Sequence, residues 1–195
     1  MVTPFDYWGM GVFAYLLGSI PFGLLFGRLF KGVDVRQGGS GHSGALNTYR
    51  MAGLAPAVVT LLGDMGKAWV ALRIGQMLDP SGWGIAVAAA LVVVGHCWPF
   101  TTEFRGGMGM ACGIAILAYL APPVLLLSLI AWGIWLAILR HFPRAQAAAA
   151  LTAPAILWAL GSSPQMVAAG LGAGAVLLVR HLRDLNRRTL TLGLR

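Results

Sequence analysis

The segment DVRQGGSGHSGALNTYR, residues 34–50, is a polar interruption in a chain that is otherwise strongly apolar. Hydrophobic residues make up 58% of the 195 residues and charged residues only 10%, and the mean hydropathy is +0.77. A water-soluble domain of this length could not cover so much apolar surface, so lipid must solvate most of it. The sequence therefore predicts an all-α integral membrane protein with this polar segment at the membrane boundary.

Seven apolar segments are candidates for transmembrane helices, each of which needs about 20 mostly apolar residues to cross the hydrocarbon core. Pro122 and Pro123 separate the fourth segment from the fifth and predict a tight hairpin, because a helix cannot continue through them. The N-terminal residues show no cleavage pattern of a secretory signal, so we expect the first segment to be retained. We treat residues 1–195 as one polytopic membrane domain with spans at 8–27, 52–73, 82–101, 107–121, 123–140, 146–161 and 165–181.

The positive charges predict the orientation of these spans. Cytoplasmic loops carry an excess of Lys and Arg, and one set of alternate loops, with the tail, holds nearly all of them, whereas the opposite loops hold only Arg73. The N-terminus is therefore expected outside and the C-terminus in the cytoplasm. We attribute the net charge of +8 to basic residues that set the membrane orientation and contact anionic lipid, rather than to nucleic-acid binding. The cytoplasmic set comprises Arg28, Lys31, Arg36, Arg50, Arg105, Arg140, Arg144, Arg180, Arg183, Arg187, Arg188 and Arg195.

The opening polar segment has the composition of a phosphate-binding loop. Gly39 and Gly41 tolerate positive φ, and consecutive backbone N–H groups in such turns converge on an anion. Ser40, Asn47 and Arg50 add hydrogen-bond donors, and a helix beginning near Asn47 would add its N-terminal dipole. The segment is not a nucleotide P-loop, because no Gly-Lys-Ser/Thr closes it. A flexible polar loop without a ligand is the alternative interpretation.

A second glycine-rich segment, GHCWPFTTEFRGGMGMACG, covers residues 95–113 and falls at the same predicted membrane face. Its clustered glycines allow the backbone to approach a ligand closely, and Arg105 supplies a guanidinium beside them. The alternatives are helix packing of the Gly-xxx-Gly kind and a hydrogen-bonded interfacial histidine. Its candidate residues are His96, Arg105, Gly106, Gly107 and Gly109.

Other polar groups lie within or at the ends of the apolar spans. Asp64 and Lys67 share one helical face at i, i+3 and are interpreted as a structural ion pair. Cys97 and Cys112 lack metal-type spacing and are expected to be free thiols. The last span ends in a basic run, in which His181 is close enough to the boundary to reach a site.

The chain shows no Ser-His-Asp pattern, no paired catalytic carboxylates and no His-x-x-x-x-Asp acyltransferase signature. An enzyme with this sequence would act by positioning its substrates and by electrostatics rather than through a protein nucleophile.

These motifs resemble those of the bacterial acyl-phosphate-dependent glycerol-3-phosphate acyltransferases, which are small seven-span inner-membrane enzymes. The first family motif, Gly-Ser-Gly-Asn-x-Gly-Ala-Thr-Asn-x-x-Arg, is similar to GSGHSGALNTYR at residues 39–50. The second, Gly-His-x-x-Pro followed by Phe-Lys-Gly-Gly-Lys-Gly, is similar to GHCWPF and FRGGMG. An upstream GSIPFG, the pair Asp64 and Lys67, and a His-Arg-x-Asn-x-x-Arg pattern over residues 181–187 extend the resemblance to nearly the whole chain.

The resemblance implies that an acyl chain moves from acyl phosphate to the first hydroxyl of glycerol 3-phosphate, giving lysophosphatidic acid for phospholipid biosynthesis. It implies that the reaction needs no metal and no coenzyme. It also implies that the protein contacts membrane lipids and not nucleic acid. The catalytic candidates are Ser40, Arg50, His96 and His181, to which the departure at His42 adds a fifth. The substrate-binding candidates are Gly39, Gly41, Asn47, Arg105, Gly106, Gly107, Gly109 and Asn186. Within these sets, the acceptor's phosphate would be bound by Ser40, Arg50, Arg105 and His181. The donor's phosphate would be held by Gly39, Gly41, Gly106 and Gly107. His96 would orient the loops.

Five family positions differ in this chain. His42 and Leu46 replace an asparagine and a threonine, Met108 replaces the lysine of Gly-Gly-Lys-Gly, and Asp184 replaces the tail asparagine. A serine-bearing motif after the fifth span has no counterpart. His42 is a candidate general base, since histidine titrates near neutral pH, and Arg105 is a candidate replacement for the lysine. The alternative function is a non-catalytic or re-specialised relative that binds a lipid or anionic headgroup in the same pocket.

Overall fold

The computed structural model describes residues 3–185, and this part of the chain contains α-helices and short 3-10 turns but no β-strand. The 3-10 turns are Val35–Gln37 and Phe100–Thr102. The α-helices are α1 (Pro4–Gly18), α2 (Phe22–Lys31), α3 (Ala45–Ala52), α4 (Leu54–Leu78), α5 (Trp83–Cys97), α6 (Met110–Leu120), α7 (Pro122–Leu139), α8 (Phe142–Ala159) and α9 (Pro164–Leu182).

The helices confirm an all-α integral membrane protein. Within the described residues, five helical segments are long and apolar enough to cross a membrane, namely Pro4–Lys31, Leu54–Leu78, Trp83–Thr102, Pro122–Leu139 and Pro164–Leu182. The two other predicted spans correspond to α6, which has only 11 residues, and to α8, which has 18 residues but is less apolar.

The first predicted span, 8–27, is broken in the structure rather than continuous. α1 ends at Gly18 and α2 begins at Phe22, because Pro21 has no N–H to continue the helical hydrogen bonds. The carbonyl groups freed by the break find partners: Lys67 Nζ donates to the Ile20 carbonyl at 2.9 Å, and Thr101 donates to the Ser19 carbonyl at 2.7 Å. A break inside a bilayer is stable only where such groups are satisfied within the protein.

Small residues let the helices approach closely. A Cβ built on Gly18 of α1 would lie 2.3 Å from the Val92 carbonyl oxygen of α5, and one built on Gly95 would lie 2.2 Å from the Tyr15 carbonyl oxygen. Without a hydrophobic driving force between helices in lipid, such close backbone packing is what holds a membrane bundle together. α5 therefore lies against α1, and it also packs against α4 and α9.

Two local predictions are confirmed. α6 ends at Leu120 and α7 begins at Pro122, so only Ala121 separates them. Cys97 and Cys112 are buried free thiols.

Candidate active site

Asn47 organises the first glycine loop, which we define as residues 38–44. Its side-chain nitrogen donates to the carbonyl groups of Val35, Gly38 and His42 at 2.6, 3.2 and 2.9 Å. Its side-chain oxygen accepts from the Ser40 N–H at 2.8 Å. An amide nitrogen has two hydrogens, so both are used by backbone carbonyl groups of residues 35–42. The structure thus places Asn47 as the buried support of the loop rather than as a free donor.

Gly39 allows this arrangement. Its φ is +59°, and a Cβ there would lie 2.1 Å from the side-chain oxygen of Asn47. Any side chain would both strain the backbone and displace the amide that holds the loop. Gly41 also has a positive φ, +74°.

Asp34 and Arg36 anchor the start of the first loop. The Arg36 guanidinium donates to the Asp34 carboxylate at 2.7 and 3.0 Å and to the Thr102 carbonyl at 3.3 Å. The hydrogen bond from the Arg36 side chain lowers the pKa of Asp34 from 3.8 to about 2 against the opposing effect of burial. Thr102 belongs to the second glycine loop, which we define as residues 98–109, so Arg36 ties the two loops together.

A buried ionic cluster lies behind the loops. Lys67 Nζ is 2.7 Å from Asp64 Oδ1, which confirms the predicted ion pair, and His96 Nδ1 lies 3.2 Å from the same oxygen. All three side chains are buried. Buried charges are tolerated when they are paired in this way.

The second glycine loop rests directly on His96. The Gly107 N–H donates to the His96 carbonyl at 3.0 Å, and a Cβ on Gly107 would lie 2.1 Å from His96 Nε2. A Cβ on Gly106 would lie 2.2 Å from the His96 carbonyl oxygen. Neither glycine can accept a side chain without moving the loop. The glycines predicted as a phosphate cradle therefore also have a packing role, which motif spacing alone does not indicate.

Arg180 of α9 joins the second loop to the first, and it was missed as a site residue. Its Nε donates to the Gly107 carbonyl at 2.9 Å, and its Nη2 donates to the Gly106 carbonyl at 3.2 Å. The same Nη2 lies 3.1 Å from His42 Nδ1, and the guanidinium lies over the Trp98 ring. Arg180 is buried. A signal was available: a guanidinium in the last turn of an apolar span must find partners inside the protein.

His42 lies between Arg180 and Asp184. Its Nε2 is 3.2 Å from the Asp184 carboxylate, and its Nδ1 faces the Arg180 guanidinium. A guanidinium only donates, so Nδ1 must accept and Nε2 must carry the hydrogen that Asp184 receives. With both ring nitrogens in these bonds, His42 is placed to connect the first loop to the end of α9. This arrangement does not favour the general-base hypothesis.

His181 offers a different kind of group. Its Nδ1 lies 2.8 Å from the Leu177 carbonyl oxygen, which can only accept, so Nδ1 carries the hydrogen. Its Nε2 is then an acceptor, and it is buried without a hydrogen-bond partner. A buried acceptor of this kind is costly unless a ligand satisfies it.

Both glycine loops lead into a helix without a side-chain N-cap. α3 follows Gly44 and α6 follows Gly109, and neither glycine has a side chain to bond the first N–H groups. The φ of Gly109 is +83°. Such N-termini favour anions through their N–H groups and the helix dipole.

The remaining predicted residues are more peripheral. Arg50 and Arg105 are exposed, and Ser40 and Met108 are half-buried. The cation in contact with Gly106 and Gly107 is thus Arg180, not Arg105. Asn186 lies outside the described residues.

The fold and the loops define a class: helical integral membrane proteins in which two glycine-rich loops meet the end of a membrane-spanning helix. The family model for glycerol-3-phosphate acyltransferase matches residues 8–190. The glycerol-3-phosphate acyltransferase of Synechococcus sp. (strain JA-3-3Ab) is 38% identical over 176 residues, covering 89% of this chain and 85% of that protein. The one from Rubrobacter xylanophilus is 38% identical over 179 residues, covering 92% and 88%.

Solved structures agree. The crystal structure of PlsY (YgiH), an integral membrane glycerol 3-phosphate acyltransferase, in its glycerol 3-phosphate form is similar with a TM-score of 0.80 at 30% identity, covering 93% of this chain and 91% of that one. Its lysophosphatidic acid form gives a TM-score of 0.79. The chain belongs to the glycerol-3-phosphate acyltransferase family and is a membrane acyltransferase of phospholipid synthesis. The non-catalytic alternative is not favoured.

Proposed function

We propose that the protein transfers an acyl chain from acyl phosphate to the first hydroxyl of glycerol 3-phosphate. An ester bond forms between that hydroxyl oxygen and the acyl carbon, the bond from the acyl carbon to the phosphate oxygen breaks, and lysophosphatidic acid and inorganic phosphate leave. The observation that carries the proposal is the junction at Arg180, which joins both glycine loops to the helix that carries His181. Glycerol 3-phosphate and lysophosphatidic acid are the ligand forms of the similar PlsY structures.

The two uncapped helix N-termini are proposed to receive phosphate. The backbone at the start of α6, next to Gly109, would hold the donor's phosphate, and the start of α3, with Ser40 and the exposed Arg50, would hold that of the acceptor. Arg105, also exposed, would add charge at the mouth of the site. Preorganised donors of this kind stabilise the charge that develops on a leaving phosphate.

His181 is proposed to act on the acceptor hydroxyl. Because its Nδ1 is tied to the Leu177 carbonyl, the unpartnered Nε2 can accept the hydrogen of the attacking hydroxyl. His96 and Asn47 would support the two loops, and His42 would fix their position against α9.

Purified protein supplied with acyl phosphate and glycerol 3-phosphate tests the proposal. We expect lysophosphatidic acid and phosphate in equal amounts, detected by mass spectrometry and by phosphate assay. Acyl-coenzyme A of the same chain length is the control donor and should give little product. Product from acyl-coenzyme A alone, or no product from either donor in folded protein, would overturn the assignment of the donor.

We also propose that residues 1–195 form one domain with seven spans, α6 and α8 included, in the bacterial inner membrane. The N-terminus would lie outside, and the C-terminus and the active face in the cytoplasm. The supporting observation is the basic residues of alternate loops, which favour the cytoplasmic side. Single cysteines placed near Arg36 or Arg144 should resist an impermeant thiol reagent in intact cells, whereas one near Arg73 should react. Labelling near Arg36 from outside would refute the orientation.

A further inference from the structure

An apolar cavity of about 180 Å³ lies between α6, α7, α8 and α9. Small residues on α8 and α9, such as Ala149, Ala153 and Gly170, leave the space open, and aliphatic side chains complete most of its lining. A purely apolar cavity of about 150 Å³ is large enough to bind a hydrocarbon such as benzene and stays dry. This cavity is of that size, but its lining is not purely apolar.

Three buried polar atoms without a hydrogen-bond partner belong to residues that line this cavity. They are Ser128 Oγ, Trp132 Nε1 and Gln146 Nε2. Only two other buried side-chain atoms between residues 3 and 185 lack a partner, so the unsatisfied groups are concentrated at this one place. Ser128 is only 7% exposed. Such groups are nearly always satisfied in proteins, by ordered water or by a ligand when not by the chain itself.

The three groups lie on two consecutive helices that line the cavity. Ser128 and Trp132 are one helical turn apart on α7, and Gln146 lies on the adjoining α8. The Trp132 ring packs edge-to-face against Phe142, one turn before Gln146. The indole N–H can only donate, and the hydroxyl and the amide nitrogen can donate as well. The complementary ligand group is therefore an acceptor oxygen on an otherwise apolar molecule.

The cavity adjoins the candidate active site. Met110 lines it and directly follows Gly109 of the second glycine loop. Leu177 also lines it, lies against Gly109, and accepts the hydrogen bond from His181 Nδ1. A chain attached to a phosphate at the start of α6 would thus have this cavity beside it.

We propose that the cavity binds a section of the donor's acyl chain and selects chains that carry an oxygen, such as a hydroxyl group, at the position of Ser128, Trp132 and Gln146. This inference rests on the proposed function. It makes these three residues specificity determinants of this protein. A chain without the oxygen would leave three buried groups unsatisfied, as would a chain with its hydroxyl at the wrong carbon.

A positional series of donors tests this directly. Acyl phosphates of one chain length, each with a single hydroxyl at a different carbon, are compared with the unsubstituted donor by kcat/KM. We expect one hydroxyl position to raise kcat/KM about three- to tenfold, as one or two new neutral hydrogen bonds would, and the other positions to lower it. The ratio between the preferred and the unsubstituted donor should fall towards one in Trp132→Phe and Ser128→Ala.

Trp135→Phe is the matched control. Trp135 lies on the same helix, but its indole N–H donates to Thr152 at 3.0 Å, so its loss should leave the donor ratio unchanged. A series in which no hydroxyl position is preferred would show that water or a plain chain fills the cavity and would overturn the inference. A preference that survives in Trp132→Phe, or disappears in Trp135→Phe, would overturn it as well.

A binding measurement separates this inference from the proposed reaction. The wild-type protein should bind the free hydroxylated fatty acid more tightly than the unsubstituted one in native mass spectrometry, and this difference should shrink in Trp132→Phe. If this difference is found while no acyl transfer occurs, the cavity assignment stands and the proposed function fails. Equal binding in the wild type would contradict the cavity assignment, whether or not transfer occurs.

Discussion

His42 Nε2 lies 3.2 Å from the Asp184 carboxylate, although the two residues are 142 positions apart in the chain. The family motifs lead one to expect asparagine at both positions. Two of the five departures from the family motifs, His42 and Asp184, therefore contact each other. Their contact joins the first glycine loop to the residues after α9. A neutral histidine that donates to a carboxylate can replace an amide pair across the same gap. We interpret the two departures as a coupled exchange that preserves the junction.

The coupling predicts a non-additive result. His42→Asn and Asp184→Asn should each lower kcat/KM about tenfold, because each removes one partner from a largely buried pair. The double variant should recover most of the loss, with a coupling energy of about 2 kcal/mol. Steady-state kinetics of the four proteins measures this. Additive losses in the double variant would show that the contact is incidental.

Arg180 should be needed for both stability and turnover. Arg180→Ala leaves the carbonyl groups of Gly106 and Gly107 without their donor, and such losses cost on the order of 2–5 kcal/mol. Arg180→Lys should not restore function, because an ammonium cannot reproduce the planar set of donors. Thermal unfolding and kcat/KM should fall together. Arg183→Ala, which removes an exposed cation three residues further on, is the control and should change neither.

Arg50 should behave differently from Arg180. It is exposed, so Arg50→Ala should leave the melting temperature unchanged. If Arg50 binds the acceptor's phosphate, the affinity for glycerol 3-phosphate should fall more than tenfold, as expected for the loss of a charge-assisted contact. Isothermal titration with glycerol 3-phosphate gives the value. A smaller fall would make Arg50 a lipid-headgroup contact.

Asp34 predicts how stability depends on pH. Its pKa is lowered to about 2 in the folded protein, from 3.8, mainly by the hydrogen bond from Arg36. The pair therefore stabilises the fold fully above about pH 4, by about 2 kcal/mol, and this stability is lost as the pH falls towards 2. The difference in free energy of unfolding between wild type and Asp34→Asn should shrink over that window. A constant difference between pH 5 and pH 2 would refute the assignment.

Much of the fold follows from hydropathy, but helix breaks do not. The apolar spans and the hairpin before Pro122 are visible in the sequence because lipid demands long apolar helices. The break at Pro21 is hidden, since hydropathy averages over a window and proline is tolerated in membrane helices. The break is explained only by tertiary contacts, because Lys67 and Thr101 donate hydrogen bonds to the carbonyl groups that it frees.

The candidate site was predictable by residue type and less so by role. Motif spacing identified the glycine loops, but it assigned Asn47 to substrate when the fold uses it to hold the loop. Counting positive charges treated Arg180 as one cation of a basic tail. Its role depends on which carbonyl groups a distant loop presents, and that information is absent from local sequence.

Acyl transfer from glycerol 3-phosphate labelled with ¹⁸O in its first hydroxyl tests the central claim most directly. If that hydroxyl attacks the acyl carbon of acyl phosphate, the label must appear in the ester of lysophosphatidic acid, and the released phosphate must be unlabelled and equal in amount. Mass spectrometry of both products measures this. Label in the phosphate, or folded protein that forms no labelled lysophosphatidic acid, would contradict the account.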